Sequence, residues 1–217
     1  SYHLEEPEGE LTYNGVVYNE MKGAYSSPED VLSREILNSL YPDTTYGNES
    51  GGDPACIPDL TYEQFLDFHR KYYHPSNSYI YLYGNMDVAE RLTWLDKEYL
   101  SAFDSAEVDS EVGIQPPFEK MAKVEKKYSI AGGESLEENT YLAWNASISV
   151  SADVQLANAF AVIEYVLLSA PGAPLKQALL DAGLGKDIDG SYDSGTRQPV
   201  FTVEAKYADP DQADAFV

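Results

Sequence analysis

Gly15-Val16-Val17-Tyr18-Asn19-Glu20-Met21-Lys22-Gly23-Ala24-Tyr25 is the stretch on which the reading of this chain turns. Val16, Val17, Met21 and Ala24 supply apolar positions, so the spacing predicts a helix opening within residues 10–25, weakened by Gly15 and Gly23. A carboxylate carried on a helix points in a fixed direction, which lets Glu20 serve as one metal ligand toward a facing helix. Taken alone, a glutamate is usually a solvated surface residue. The neighbours decide between the two.

Downstream, Ser27-Pro28-Glu29-Asp30 is a strong helix start, with a capping serine, proline in the first turn and acids at the positive end of the dipole. Leu32, Ile36 and Leu40 recur every four residues until Pro42 ends the run near Tyr41. A breaker-rich loop, 43–58, leads to the capping-box pattern Thr61-Tyr62-Glu63-Gln64 and a second helix with Phe65, Phe68 and Tyr72 on one stripe, ended by His74-Pro75. Residues 77–84, with Tyr79, Ile80, Tyr81, Leu82 and Tyr83, read as a buried strand. Asp87 then caps a third helix to about Phe103.

Residues 104–120 lose any apolar period and contain Pro116-Pro117, which marks a linker. Beyond it, 123–130 and 140–150 read as strands around the turn Gly132-Gly133-Glu134, and 153–169 as a helix apolar on most faces and therefore buried. Pro174 starts another helix with Gly183 as its stop, 188–194 and 199–207 read as strands, and a helix begins at Asp209. The order argues for an α+β fold with mainly antiparallel sheet.

Asn19-Glu20-Met21-Lys22-Gly23 resembles the segment of pitrilysin-type (M16) zinc peptidases, in the presequence-protease subfamily, that carries the third protein ligand to the catalytic zinc. Pro42-Asp43-x-x-Tyr46, Ser50-Gly51-Gly52-Asp53-Pro54, Phe68-His69-x-x-Tyr72-Tyr73-His74-Pro75-Ser76-Asn77, Tyr83-Gly84-Asn85 and Ala182-Gly183-Leu184-Gly185 resemble segments of the same family in the same order. The resemblance implies pitrilysin-like α+β domains, with 1–103 the C-terminal part of the first, catalytic domain, 104–120 a linker and 121–217 the N-terminal part of a second, non-catalytic one. It implies Zn2+ in the intact enzyme with Glu20 as a metal ligand, peptide substrates in an enclosed chamber, and the rest of the same polypeptide as partner. The family's inverted H-x-x-E-H motif, source of two histidine ligands and the general base, does not occur in the chain. The expectation is therefore an internal piece of a peptidase with no catalytic base of its own, inactive and without tight zinc binding. The alternative is a non-catalytic M16-like scaffold or peptide-binding subunit.

Composition narrows the remaining classes. Fourteen Lys and Arg against 37 Asp and Glu give a formal charge of -23, which opposes nucleic acid and anionic membrane surfaces and suits cationic peptides or simple solubility. No uninterrupted apolar run approaches the roughly 20 residues of a membrane span. The single cysteine, Cys56, excludes an internal disulfide, reads as a small packed residue, and fits a reducing compartment. A bacterial-type cytoplasmic location is expected, with organellar or secreted addresses left open. His69 and His74 are five apart, about 140° around a helix, against the i, i+4 spacing of same-face zinc ligands. They read as a helix-end and a turn residue. Ser50-Gly51-Gly52-Asp53 lacks the Lys-Ser/Thr of a phosphate loop and reads as a tight turn, and residues 104–111 lack the order of a calcium loop. The 18 tyrosines read mainly as core-edge residues, and any oligomer is expected to reflect uncovered apolar surface.

Overall fold

Val200-Phe201-Thr202-Val203-Glu204-Ala205-Lys206-Tyr207-Ala208 is the most deeply buried strand, and its two faces organise most of the chain. The computed structural model describes residues 1–217 in two compact units: Ser1–Ala55 with Val112–Val217, and Cys56–Glu111. In chain order the elements are β1 (Tyr2–His3), β2 (Thr12–Tyr13), α1 (Val16–Ala24), α2 (Pro28–Leu40), α3 (Tyr62–Tyr72), α4 (Val88–Glu98), β3 (Thr140–Ser147), α5 (Val154–Glu164), α6 (Pro174–Asp181), β4 (Asp187–Asp193), β5 (Val200–Ala208) and α7 (Ala213–Phe216). The smaller unit holds α3 and α4, and the larger unit the rest.

The sheet runs β3-β5-β4, antiparallel throughout, with Trp144 opposite Val203 and Gly190 opposite Val203 on the other side. Alternation along β5 sends Phe201, Val203 and Ala205 into one cluster with Leu168, Ile188 and Phe216, backed by Phe160, Leu175 and Leu179. Val200, on the opposite face, packs with Ile36 and Tyr41, backed by Leu32, Leu40 and Ala143. The sheet is thus covered by α5–α6 on one side and α2 on the other. The mixed α+β, antiparallel architecture expected from the sequence is the one found.

Local signals are realised closely. The Asp30 N–H donates to Ser27 Oγ at 3.1 Å, and Tyr41 follows the last turn of α2. Thr61 and Gln64 exchange both bonds of a capping box, at 2.8 and 3.2 Å. Asp87 and Asp153 cap α4 and α5 through the Glu90 and Leu156 N–H groups, each at 3.0 Å. Helix α6 ends in a Schellman motif, with Leu184 N–H on the Leu179 carbonyl, Gly183 N–H on that of Leu180, and Gly183 at φ 71°.

Residues 104–120 contain no helix or strand, yet Gln115 is buried. Its amide accepts from Asp43 N–H at 2.9 Å and donates to the Asp43 carboxylate at 2.7 Å, while its backbone N–H donates to Gln198 Oε1 at 2.6 Å. The Tyr41 hydroxyl, on a fully buried side chain, donates to the Gln198 carbonyl at 2.5 Å. These bonds fasten the end of α2 to the turn that precedes β5.

Four expectations are corrected. Residues 77–84 are not a buried strand: Tyr79, Tyr81 and Tyr83 are 84–105% exposed, and no strand of the chain pairs with them. Residues 123–130 are not a strand either. Their charged positions engage other segments, Lys123 with Asp214 at 2.8 Å and Lys126 with Glu35 at 3.3 Å. The apolar helix 153–169 buries only Leu168, because a helix apolar all round can lay just one stripe on one sheet. Cys56 is exposed at the start of a short turn rather than packed.

Two broader readings also change. By length and composition, Val154–Asp181 is apolar enough to cross a membrane, which a search for an unbroken run overlooks. In the structure it is two helical pieces, divided at Pro171-Gly172 with Gly172 at φ 74°. The tyrosines, expected at core edges, are often fully outside it: Tyr2, Tyr62, Tyr73 and Tyr165 are exposed along with the three above.

Candidate functional site

Glu20 lies near the middle of α1, on a helix that buries none of its residues. Its side chain is exposed and makes no hydrogen bond or ion pair within the chain, so both carboxylate oxygens are available. Helix α1 starts without a side-chain cap, after extended Gly15, and Gly23 near its end has open space around it. The hairpin β1–β2 precedes it, with the Tyr2 and Tyr13 rings stacked at 5.1 Å and Tyr13 edge-on to Tyr18 at 5.9 Å. Asn19 donates from Nδ2 to Asn14 Oδ1 at 2.9 Å, tying the first turn of the helix to that hairpin.

The other end of α1 meets the loop 49–53. The Glu49 carbonyl accepts from Gly52 N–H at 3.2 Å, and Gly52 takes φ 90°, the tight turn read from Ser50-Gly51-Gly52-Asp53. Gly51 lies directly against the Met21 thioether, where a Cβ would overlap the sulfur. Burial, and after it the nearby Glu49 carboxylate, pushes the Tyr25 pKa up to about 12. The Arg34 guanidinium, from α2, covers the Tyr25 ring at 4.8 Å and pairs with the Asp53 carboxylate. Asp53 in turn accepts from Ala55 N–H at 2.8 Å; that bond and Arg34 hold its carboxyl below the ordinary aspartate range.

Sequence reasoning did not single out Arg34, Tyr25 or Glu49. The Arg34–Asp53 pair spans 19 residues, and no local pattern announces a contact of that kind. The histidines stand in other roles. His69 stacks on Tyr73 at 4.7 Å, while His74 accepts from Ser76 N–H through Nδ1 at 3.1 Å and lies edge-on to Phe103 at 5.3 Å.

No group of three His, Cys, Asp or Glu side chains converges to hold a metal. Zinc needs three protein donors with an open position for chemistry. As one oxygen donor Glu20 fits that requirement; as a complete set the residues of this chain do not.

A family model described as the Peptidase M16 inactive domain matches residues 59–217. The chain belongs to the M16 peptidase family. Protein HypA of Clostridium perfringens is 49% identical over 215 residues, 99% of this chain and 22% of that protein. Presequence protease 1, chloroplastic/mitochondrial, of Arabidopsis thaliana is 38% identical over 209 residues, 94% of this chain and 19% of the relative. The mitochondrial presequence protease of Mus musculus is 37% identical over 206 residues, 91% and 19% respectively. The chain thus spans about a fifth of the length of the curated relatives it matches. A crystal structure described as a putative M16-like peptidase, from Alicyclobacillus acidocaldarius, superposes with a TM-score of 0.50 at 18% identity, over 92% of this chain and 47% of that one. It supports the fold alone.

Proposed function

We propose that this chain is the portion of a zinc-dependent endopeptidase of the presequence-protease type that presents Glu20 to the metal. On this reading 1–103 completes the first, catalytic domain, 104–120 links it onward, and 121–217 begins the second, non-catalytic one. The observation that carries the reading is an exposed, unengaged carboxylate on α1, in a chain 37–38% identical over more than nine-tenths of its length to two presequence proteases. Zinc, when bound, supplies Lewis-acid polarisation of a peptide carbonyl. What this chain contributes is one oxygen donor on a helix and the scaffold behind it; the histidine ligands and the base come from residues outside it. Short unfolded peptides are the proposed substrates. Cationic ones are favoured by the charge of -23. A cytoplasmic, bacterial-type location is proposed with them.

Two measurements test the reading. In the full-length polypeptide, Glu20→Ala should abolish stoichiometric zinc and peptide hydrolysis together, and retention of both would refute it. The 217-residue chain alone should show no submicromolar zinc binding, since one carboxylate cannot replace three preorganised ligands.

A second reading has its own support. The matched family model is described as an inactive domain, and its residues, 59–217, do not include Glu20. A non-catalytic M16-like scaffold that lines a peptide-binding wall would fit that match. The absence of an H-x-x-E-H motif from the polypeptide ahead of Ser1 would decide for the scaffold, and its presence for the peptidase.

A further inference from the structure

We propose that Arg34 is a positioning residue for Glu20, transmitting the rigidity of the β3-β5-β4 sheet through the loop 49–53 to the helix that carries the carboxylate. This rests on the reading of Glu20 as a metal ligand and extends it to residues that touch neither metal nor substrate.

Helix α1 has little that fixes its own direction. It is nine residues long, buries no side chain and begins without a side-chain cap. Isolated helices of that length are marginal in water, so its orientation depends on what it leans against. At its C-terminal half that support is the loop 49–53: Met21, the residue next to Glu20, lies on Gly51. A side chain at Gly51 would push the Met21 thioether aside, so the two residues are in direct contact.

The loop needs an anchor in turn, and α2 supplies it. Ile36 and Tyr41 are buried with Val200 of β5, and Lys126 pairs with Glu35 at 3.3 Å. Arg34 projects from this fixed helix and engages both parts of the assembly, the Asp53 carboxylate at the end of the loop and the Tyr25 ring at the end of α1. An ordinary surface ion pair of two flexible side chains contributes little. This one differs in geometry. The guanidinium is four-fifths covered and lies over the Tyr25 ring at 4.8 Å while it pairs with Asp53. The contacts run from β5 to α2, Arg34, Asp53 and Tyr25, Gly51 and Met21, and end beside Glu20. Groups that orient a metal ligand without touching the metal commonly change affinity about 10–100-fold when removed.

The test has two arms. In the 217-residue chain, hydrogen exchange of the amides of residues 16–24 should quicken several-fold in Arg34→Met and in Asp53→Asn, while β5 stays protected. In the full-length polypeptide, chelator competition should show zinc affinity reduced about tenfold or more in the same variants. The visible spectrum of the Co2+-loaded protein should shift at an unchanged thermal midpoint, which a loss of bulk stability would not produce. Arg34→Lys guards against a folding defect: it keeps the charge, loses the planar fork and stack, and should still weaken zinc. If Glu20→Ala loses zinc while Arg34→Met and Arg34→Lys retain full affinity and an unchanged Co2+ spectrum, the positioning role is overturned and the ligand reading stands. If Glu20→Ala itself retains zinc, the ligand reading falls and this inference with it.

Discussion

Gly190→Ala is expected to destabilise the sheet through a collision that a second substitution can partly relieve. Gly190 lies in β4 opposite Val203, in ordinary extended conformation, so a methyl group there meets no backbone penalty. It meets Leu168 instead. A Cβ would come within 2.7 Å of Leu168 Cβ and 2.9 Å of its Cγ, and closer still to Cδ1. Leu168 is 2% exposed, hemmed by Ile188, Phe201 and Phe216, and has nowhere to withdraw. Overpacking of this kind costs about 1–3 kcal/mol. Leu168→Ala alone should cost about 2–5 kcal/mol by emptying the same space. In the double variant the new methyl occupies part of the cavity while Cγ and Cδ1 are gone, although the Cβ–Cβ approach remains. The two costs should therefore fall short of their sum by about 1 kcal/mol or more, within the range measured for residues in contact. Urea unfolding of the 217-residue chain, followed by Trp144 fluorescence in a Trp94→Phe background, reads the cycle at constant denaturant slope. Additivity to within about 0.5 kcal/mol, or a neutral Gly190→Ala, would refute the packing argument.

Gly183→Ala tests the end of α6: φ is 71° and no atom lies within 4 Å of a new Cβ, so the cost, about 1–2 kcal/mol in the same unfolding assay, should be conformational alone. Glu204 is desolvated on β5, and burial raises its pKa above the ordinary value of 4.5, with Lys206 opposing and Asp189 and Glu29 adding to the rise. A raised carboxyl means the folded state holds its proton longer. Stability should accordingly decline as pH climbs from 4.5 through the raised folded value, and Glu204→Gln should remove that slope in unfolding midpoints measured across the range. Replacing Tyr79 and Tyr81 by lysine should lower binding of an apolar-surface dye while shifting stability by no more than about 0.5 kcal/mol, because both rings are already in water. A larger loss would show that 77–84 belongs to the core after all.

The parts of the fold that could be read from sequence are those whose cause lies within four or five residues. Ser27, Thr61 and Asp87 cap the helices they precede, Pro28 and Pro174 occupy first turns, and Gly183 closes α6, because a cap bond or a left-handed glycine is decided by its immediate neighbours. Glu20 was legible only as part of a resemblance; nothing in its own surroundings distinguishes it from any exposed glutamate. The contacts that steady its helix were not legible. Arg34 reaches Asp53 across 19 residues, and Gln115 reaches Gln198 across 83, by virtue of a tertiary arrangement that periodicity does not encode.

The misplaced interior residues share one direction. Sequence patterning places residues 77–84, the outer stripes of 153–169 and Cys56 in an interior, and the structure leaves them at the surface. The unit Cys56–Glu111 goes further and buries no large apolar side chain at all, although Phe65, Phe68 and Tyr72 keep the stripe of an amphipathic helix. Apolar spacing reports that a face is meant to be covered, and it says nothing about which polypeptide covers it. In relatives about five times the length of this chain, most of the polypeptide that can do so lies outside the aligned region. The strand-like run Tyr79–Tyr83 has the composition of a sheet strand and lacks only a ladder, which is a property of its neighbours rather than of its own sequence. Caps and turns were readable because both partners of each bond stand within a few residues of one another, whereas a stripe of aromatic side chains names only one half of the contact it is built to make.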